Sequence, residues 1–260
     1  MHVDAARDPA PGSHDGRPRS RTARGVAARA ASPQQVPVHE AVDRALALLS
    51  GPGSASGRTI LGLAGPPAAG KSALARHLVA EVVRREGPDA AAYLPFDGFH
   101  LSNPQLDRLG LRDRKGAPAT FDTAGYLALL RRVLQDRFQD IYVPDFDRTL
   151  DEPVAARHVI RPHTRLVVTE GNYLAAADAP WPAVRSLLRE LWYVDAADDL
   201  RHARLIERHT GSGDTPVDAA RRVEQNDHPN GEYVKPGRGV CDWIVRLADL
   251  PTTAPGRTVL

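Results

Sequence analysis

The sequence predicts an α/β fold built on a mainly parallel sheet, and two kinds of pattern predict it. Short apolar runs such as "TILGLA", "RLVVT" and "LWYV" have the length and composition of strands buried on both faces of a sheet. Segments with the apolar spacing of helices, such as "LARHLVAEVV" and "FDTAGYLALLRRVLQ", lie between them. Strands that alternate with helices favour parallel pairing, because each helix carries the chain back across the sheet.

Composition indicates one globular domain with no nucleic-acid or membrane partner. The chain has 260 residues, of which 42% are hydrophobic and 25% charged, and its formal net charge is only +2. No apolar run approaches the roughly 20 residues that a membrane-spanning helix needs. Cys241 is the single cysteine, so an intramolecular disulfide is excluded. We expect a cytoplasmic protein.

Three regions are predicted along the chain. Residues 1–37 are expected to be a disordered basic arm, because they hold six arginines against three aspartates and few large apolar residues. A nucleic-acid contact by this arm is the alternative. Residues 38–250 are expected to form the folded domain, and residues 251–260 a short tail.

Secondary structure is predicted in enough detail to place the motifs. A helix is expected from Val38, and strands at "TILGLAG", "AAYLPF", "DIYVPDF" and "CDWIVRL". The segment "RHVI" is interpreted as a short edge strand. The turn-forming residues at 226–231 in "NDHPNGEYV" predict a structural turn.

A phosphate-binding loop is predicted between the first long strand and the helix after it. The stretch "GPPAAGKS" matches G-x-x-x-x-G-K-[ST], in which backbone N–H groups surround a phosphate, the lysine reaches the terminal phosphates and the serine hydroxyl binds Mg²⁺. This context predicts a three-layer P-loop NTPase fold that binds a nucleotide with Mg²⁺, and the loop alone leaves ATP and GTP open. A glycine-rich turn with a surface lysine is the alternative. The expected nucleotide-binding residues are Gly65, Pro66, Pro67, Ala68, Ala69, Gly70, Lys71, Ser72 and Ala73.

Two acidic residues each follow a predicted strand. Asp97 follows "AAYLPF" and Glu170 follows "RLVVT". Because ligands of open parallel sheets bind beyond the carboxyl ends of the strands, either acid could hold Mg²⁺ or accept the proton of an attacking hydroxyl. We assign Glu170 with Ser72 to the metal and Asp97 to the substrate hydroxyl. Helix capping or an ordinary loop position is the alternative for each acid.

A row of arginines lies on one face of a predicted helix. Arg201, Arg204 and Arg208 are spaced i, i+3 and i+7, which suits a lid that closes over a transferred phosphoryl group. A solvated helix face is the alternative.

Further candidates for substrate contact are His100, three residues after Asp97, and Phe146 and Arg148 in "PDFDR". His100 could instead cap the segment "LSNP", and "PDFDR" could be a solvated loop. The histidines show no spacing typical of a zinc site.

Over residues 40–250 the chain resembles the phosphoribulokinase/uridine kinase/pantothenate kinase family. The phosphate loop, "FDGFH", "VVTEG" and "RHARLIERH" carry the resemblance, and "DGFHLSNPQLDRLGLRDRKGAPATFD" is similar to a stretch of bacterial pantothenate kinases. The resemblance implies ATP-dependent transfer to a small-molecule hydroxyl on a P-loop kinase fold, often in a homodimer. It implies that Asp97 is the general base and that Glu170 is the acid ending a later strand. It also implies that Arg204 and Arg208 act from the lid.

The acceptor segment departs from the better-known relatives. Where pantothenate kinases carry P-x-Y-S-H, this chain has "PDFDR", so that Arg148 replaces a substrate-binding histidine. The Y-D-F-x-x-H-x-R element of uridine kinases is also not reproduced. Tyr173, in the segment after Glu170, completes the set of expected substrate contacts. The acceptor is left open among a nucleoside, a pantothenate-like compound and a sugar.

Two other classes of protein remain as alternatives to a kinase. A nucleotide-hydrolysing switch or motor would share the phosphate loop, but the chain has neither the N-K-x-D of GTPases nor the L-S-G-G-Q of ABC-type ATPases. A nucleotide-sensing partner protein is disfavoured by the presence of Lys71 and of both acids.

Overall fold

Most of the helices and strands that the apolar patterns predict are present in the structure. The computed structural model describes residues 33–50 and 57–247, all within one unit of the chain. The strands of the described residues are β1 (Gln34–Val36), β2 (Thr59–Ala64), β3 (Ala91–Pro95), β4 (Ile141–Asp147), β5 (Glu152–Ile160), β6 (Leu166–Glu170), β7 (Glu190–Asp195) and β8 (Trp243–Arg246). The helices are α1 (Val38–Ala47), α2 (Lys71–Glu86), α3 (Asn103–Leu109), α4 (Thr123–Gln135), α5 (Trp181–Arg185), α6 (Asp198–Gly211), α7 (Pro216–Arg222) and α8 (His228–Val234).

Six parallel strands form the central sheet in the order β1-β8-β7-β2-β6-β3. Strand β6 lies between β2 and β3, and its last residue, Glu170, is opposite Leu63 on one side and Pro95 on the other. The three strands therefore end at the same edge, where the phosphate loop begins.

Apolar residues of the central strands face two separate hydrophobic layers. In β2, Ile60 packs into the layer that contains α4 and α5, whereas Leu61 and Leu63 pack into the layer that contains α1 and α2. Alternate residues of a strand point to opposite faces, so a strand covered on both sides must be apolar almost throughout. The predicted three-layer α/β architecture is confirmed.

Strands β4 and β5 form a separate antiparallel hairpin. The predicted edge strand "RHVI" is the end of the longer β5. The hairpin packs closely on the 3-10 turn Phe96–Phe99. The two backbones are so close that a Cβ atom on Gly98 would lie 2.4 Å from the carbonyl oxygen of Pro144. Glycine at this position therefore allows the hairpin to lie directly beside Asp97.

The buried guanidinium of Arg58 joins the end of α4 to the chain before β6. It donates hydrogen bonds to five carbonyl oxygens, and the arginine is only 4% exposed. Because backbone carbonyls at a helix end have no partner within the helix, Arg58 satisfies groups that burial would otherwise leave unpaired. Its acceptors are the carbonyl oxygens of Val133, Asp136, Arg161, Pro162 and Thr164.

Two predictions of local structure are wrong. Residues 34–36 do not belong to a disordered arm, because they form β1 and pair with Trp243–Val245 of β8. Residues 226–231 do not form a turn, because a π-helical turn at Val223–Asp227 continues directly into α8. Buried hydrogen bonds of Asn226 outweigh the turn preference of the sequence here. The rest of the predicted arm, residues 1–32, and the predicted tail, 251–260, lie outside the described residues.

Within 33–50 and 57–247, none of the helices combines the length and the apolar character required to cross a membrane.

Deleting residues 1–36 should destabilise the protein relative to deletion of residues 1–32. The longer deletion removes β1, its backbone pairing with β8 and the buried side chain of Val36. A loss of about 1 kcal/mol would lower the melting temperature by about 2–4 °C in a domain of this size. Thermal unfolding followed by circular dichroism compares the two proteins, and equal melting temperatures would show that β1 adds no stability.

Candidate active site

The phosphate loop joins β2 to α2 through two glycines in unusual backbone conformations. Gly65 has φ of 145°, and a Cβ atom there would lie 2.4 Å from the carbonyl oxygen of Val194. Gly70 has φ of 98° and directly precedes Lys71, the first residue of α2. The loop therefore needs glycine at both positions, and it lies at the N-terminus of a long helix, where backbone N–H groups attract anions.

The ammonium group of Lys71 is buried at this loop. Its Nζ donates to the carbonyl oxygen of Pro66 at 2.9 Å and to Oδ1 of Asn172 at 2.6 Å. Burial lowers the pKa of Lys71 to about 8, although the negative charges of Glu170 and Asp97 act in the opposite direction. Because both hydrogen-bond partners are neutral, a bound anion would favour the charged form of this lysine.

Glu170 is the buried carboxylate at the end of β6. Its Oε1 accepts hydrogen bonds from Ser72 Oγ at 2.9 Å and from the Tyr93 hydroxyl at 2.8 Å. Burial, followed by the negative charge of Asp97, raises the pKa of Glu170 above its ordinary value. Ionisation of Glu170 in this buried position therefore costs free energy, and a nearby cation would reduce that cost.

The oxygens of Ser72 and Glu170 suit Mg²⁺, which prefers hard oxygen ligands. A divalent cation would also reduce the repulsion that raises the pKa of Glu170. Among the residues described, no cluster of three or more His, Cys, Asp and Glu side chains could hold a metal by itself. An ion here would therefore need further ligands from phosphate and water, as Mg²⁺ usually does.

Asp97 lies beside this group in the 3-10 turn after β3. Its side chain is 32% exposed, and Oδ2 lies 3.8 Å from Nη2 of Arg148 on the hairpin. Its negative charge acts on both Lys71 and Glu170. The site thus combines a buried carboxylate with a second carboxylate that a ligand can reach.

Two aromatic rings lie against His100, and one of them belongs to the predicted substrate contact Phe146. The His100 ring centroid lies 4.7 Å from that of Phe146 and 4.0 Å from that of Phe121. Its Nδ1 donates to the carbonyl oxygen of Asp97 at 2.7 Å. Burial lowers the pKa of His100, so the ring is neutral at physiological pH. His100, Phe146 and Arg148 therefore lie near Asp97, and their contact with a substrate stays a prediction.

The Tyr173 side chain is occupied by contacts within the protein. Its side chain is fully buried, and its hydroxyl donates to the carbonyl oxygen of Gly116 at 2.5 Å. The expected substrate contact is corrected accordingly: in this structure Tyr173 supports the segment 112–118. The position of Tyr173 just after a strand suggested a substrate contact. The orientation of its side chain depends instead on the apolar contacts that bury it.

Helix α6 places its arginines on the phosphate loop. Arg201 Nη1 donates to the carbonyl oxygen of Pro67 at 3.2 Å, and Arg204 Nη1 donates to that of Ala68 at 3.3 Å. Leu205 packs on Ala68 and anchors the helix. Arg201 is the most deeply buried member of the row, at 3% exposure, so it holds the loop rather than facing solvent.

Arg208 lies further along α6 and faces the acidic groups. Although the residue keeps solvent-exposed surface, protein surrounds its guanidinium closely enough for burial to lower its pKa. The positive charge of Arg148 acts in the same direction, whereas Asp97 raises the pKa. The charges of Arg208 on the lid helix and of Arg148 on the hairpin therefore both act near Asp97.

Sequence reasoning missed Asn172 and Tyr93. Asn172 lies two residues after Glu170, and the same strand-end argument that selected Glu170 could have selected it. Tyr93 lies inside a buried strand, where an apolar role is the ordinary expectation, and nothing in the sequence indicates its hydrogen bond to Glu170.

Replacing Glu170 by glutamine should raise the thermal stability of the ligand-free protein at neutral pH. Glutamine keeps an oxygen for Ser72 and Tyr93 but removes the buried charge. Because the folded-state pKa is raised, the cost of ionisation is absent at low pH and develops as pH rises through the folded pKa. The advantage of Glu170→Gln in thermal melts should therefore be absent well below the ordinary pKa of a glutamate and grow as pH rises above it.

The matched control is Glu190→Gln, since Glu190 pairs with Arg44 and accepts from Trp192. This variant should show no increase in melting temperature over wild type at any pH. A Glu170→Gln protein that is less stable than wild type throughout the pH range would contradict the electrostatic argument.

Proteins similar to this chain are found among fungi and bacteria, although no family model matches it. A protein of Schizosaccharomyces pombe, provisionally named uridine kinase C227.14, is 31% identical over 201 residues, which cover 75% of this chain and 86% of that protein. The uncharacterized protein YggC of Escherichia coli is 35% identical over 195 residues, covering 74% of this chain and 79% of that protein.

Solved structures with the same fold include two proteins provisionally described as kinases. A protein of Silicibacter sp. TM1040, provisionally described as a fructose transport system kinase, has a TM-score of 0.72 and 29% identity, and the match covers 80% of this chain and 98% of that one. YFH7 of Saccharomyces cerevisiae has a TM-score of 0.66 at 20% identity, covering 81% of this chain and 98% of that one.

The Schizosaccharomyces pombe relative exceeds 30% identity over most of both chains, and this similarity shows the family. The chain belongs to the phosphoribulokinase/uridine kinase/pantothenate kinase-like family of P-loop kinases.

Proposed function

We propose that the protein transfers the γ-phosphoryl group of ATP to a hydroxyl group of a small metabolite, with Mg²⁺ as cofactor. The observation that carries the proposal is the position of Asp97, a partly exposed carboxylate beside the buried group formed by Lys71, Ser72 and Glu170. A protein that only bound or hydrolysed nucleotide would not need a reachable carboxylate paired with an arginine of a separate hairpin.

Each polar group has a role in the proposed reaction. Lys71 and the loop N–H groups hold the phosphates, and Ser72 with Glu170 binds Mg²⁺, which when bound neutralises phosphate charge. Asp97 accepts the proton of the acceptor hydroxyl. At the same time the hydroxyl oxygen bonds to the γ-phosphorus, and the bond from that phosphorus to the β–γ bridging oxygen breaks. Arg204 and Arg208 stabilise the charge of the moving phosphoryl group.

The acceptor is proposed to lie against His100, Phe146 and Arg148. The neutral imidazole and the phenyl ring offer a flat apolar surface, and the guanidinium offers donors for polar groups. Relatives are named for uridine and for a fructose transport system, and both names suggest hydroxyl-rich acceptors. We therefore propose a nucleoside or a sugar, acted on in the cytoplasm by the homodimer that the family resemblance implies.

Asp97→Asn should lower kcat by about 10²–10⁴-fold, because it keeps the shape of the side chain but removes the base. ADP release is measured across a panel of nucleosides, pantothenate, ketoses and other sugars, and nucleotide binding is measured separately. Asp113→Asn, which changes an exposed acid, is the control. Release of ADP that no acceptor stimulates would favour a hydrolase, and a loss of less than about tenfold would mean that Asp97 is not the base.

Arg148→Ala should raise the KM of the acceptor and leave the KM of ATP nearly unchanged. Arg148 faces Asp97 from the hairpin, whereas the groups at the phosphate loop come from other elements. Arg157→Ala is the matched control, because Arg157 lies on the same hairpin and pairs with Asp147 instead. A change confined to the KM of ATP would assign Arg148 to the nucleotide.

A further inference from the structure

The π-helical turn Val223–Asp227 bonds to two different parts of the site through consecutive residues. Asp227 Oδ2 lies 2.8 Å from Nε2 of His209 near the end of α6. Asn226 Nδ2 donates to the carbonyl oxygen of Lys115 at 2.7 Å. The wide turn thus links the lid helix to the segment 112–118, and π-helical turns of this kind are frequent at functional sites.

Lys115 continues the connection to the hairpin. Its Nζ donates to Asn103 Oδ1 at 2.7 Å and to the carbonyl oxygen of Asp151, and it forms an ion pair with Asp151 Oδ2 at 2.9 Å. Lys115 therefore holds the turn between β4 and β5.

The segment around Lys115 is fixed at a second point. The Gly116 carbonyl accepts from the buried Tyr173 hydroxyl, and the Gly116 N–H donates to Thr120 Oγ1 at 2.9 Å. Two neighbouring carbonyl oxygens are thus held by side chains from different elements, Tyr173 after β6 and Asn226 before α8. A shift of the Asn226 amide relative to Tyr173 would tilt the backbone of Lys115.

Both ends of this connection lie at the site. At one end α6 contacts the phosphate loop through Arg201 and Arg204. At the other end the hairpin carries Phe146, whose ring lies 4.8 Å from the Lys115 ammonium, and Arg148, which faces Asp97. The connection therefore runs from the nucleotide side of the site to the acceptor side.

We propose that Asn226 is a positioning residue, which transmits the position of the lid helix through Lys115 to the hairpin that forms the acceptor wall. The inference rests on the proposed binding of nucleotide at the phosphate loop. Nucleotide binding that fixes the position of α6 then also orders the hairpin. By thermodynamic reciprocity, an acceptor that orders the hairpin strengthens nucleotide binding. Asn226 touches neither ligand.

Hydrogen exchange detected by mass spectrometry tests this proposal without knowledge of the acceptor. Exchange is measured with and without Mg²⁺ and the non-hydrolysable ATP analogue AMP-PNP, in residues 65–73, 112–118 and 144–152. In wild type the nucleotide should slow exchange in all three segments, by about fivefold or more in the last two. In Asn226→Asp, which keeps the size of the side chain but cannot donate to the Lys115 carbonyl, only residues 65–73 should remain protected.

The matched control is Gln225→Glu, which makes the same amide-to-carboxylate change at the exposed neighbouring position and leaves the bond from Asn226 to Lys115 in place. It should keep wild-type protection of the hairpin. Lys115→Met provides a second test if Asn226→Asp does not fold, since it leaves the backbone and removes the contacts to the hairpin turn. It should lose protection of residues 144–152 but not of residues 65–73.

The outcomes separate this inference from the proposed function. Failure of AMP-PNP to protect residues 65–73 in wild type would overturn both. Protection of residues 65–73 without any effect on residues 144–152 in wild type would overturn the inference alone. Full protection of the hairpin in both Asn226→Asp and Lys115→Met would also overturn the inference and leave the proposed function intact.

Discussion

The register of β6 between β2 and β3 determines where every group of the site lies. Glu170 is opposite Leu63 and Pro95, so the phosphate loop, the buried carboxylate and the turn that carries Asp97 all start at one level of the sheet. Side chains of a strand alternate between the two faces, and a slip of one residue would send Glu170 to the other face. The apolar residues before it resist this slip, because both faces of β6 are buried.

Polar groups at that edge oppose folding, and apolar layers on both sides of the sheet offset them. Burial disfavours the charged forms of both Lys71 and Glu170. Neither group is placed for stability, since ordinary apolar side chains of similar size would avoid the loss of hydration. The chain keeps two opposite charges in a confined space, an arrangement that suits a highly charged ligand and a cation that arrive together.

Local sequence patterns predicted most of this structure. The features that these patterns missed depend on contacts between residues far apart in the sequence. The strands and the phosphate loop follow from apolar runs and from glycine spacing, which are local properties. Strand β1 could not be predicted, because three residues with a single buried valine become a strand only beside β8. Asn226 lies among residues typical of turns, and its helical conformation depends on a carbonyl more than one hundred positions away. For Tyr173 the strand-end rule located the residue correctly but could not tell an inward from an outward side chain.

The pairing of β1 with β8 has a consequence for synthesis of the chain. Gln34 is opposite Trp243, so the first described strand meets its partner only when nearly the whole domain has left the ribosome. At typical elongation rates this leaves β1 without its partner for roughly 10–40 s, and β7 with an open edge until the same moment. The sheet is therefore completed only after β8 is synthesised, and a nascent chain stalled before β8 would expose strand edges to chaperones and to other nascent chains.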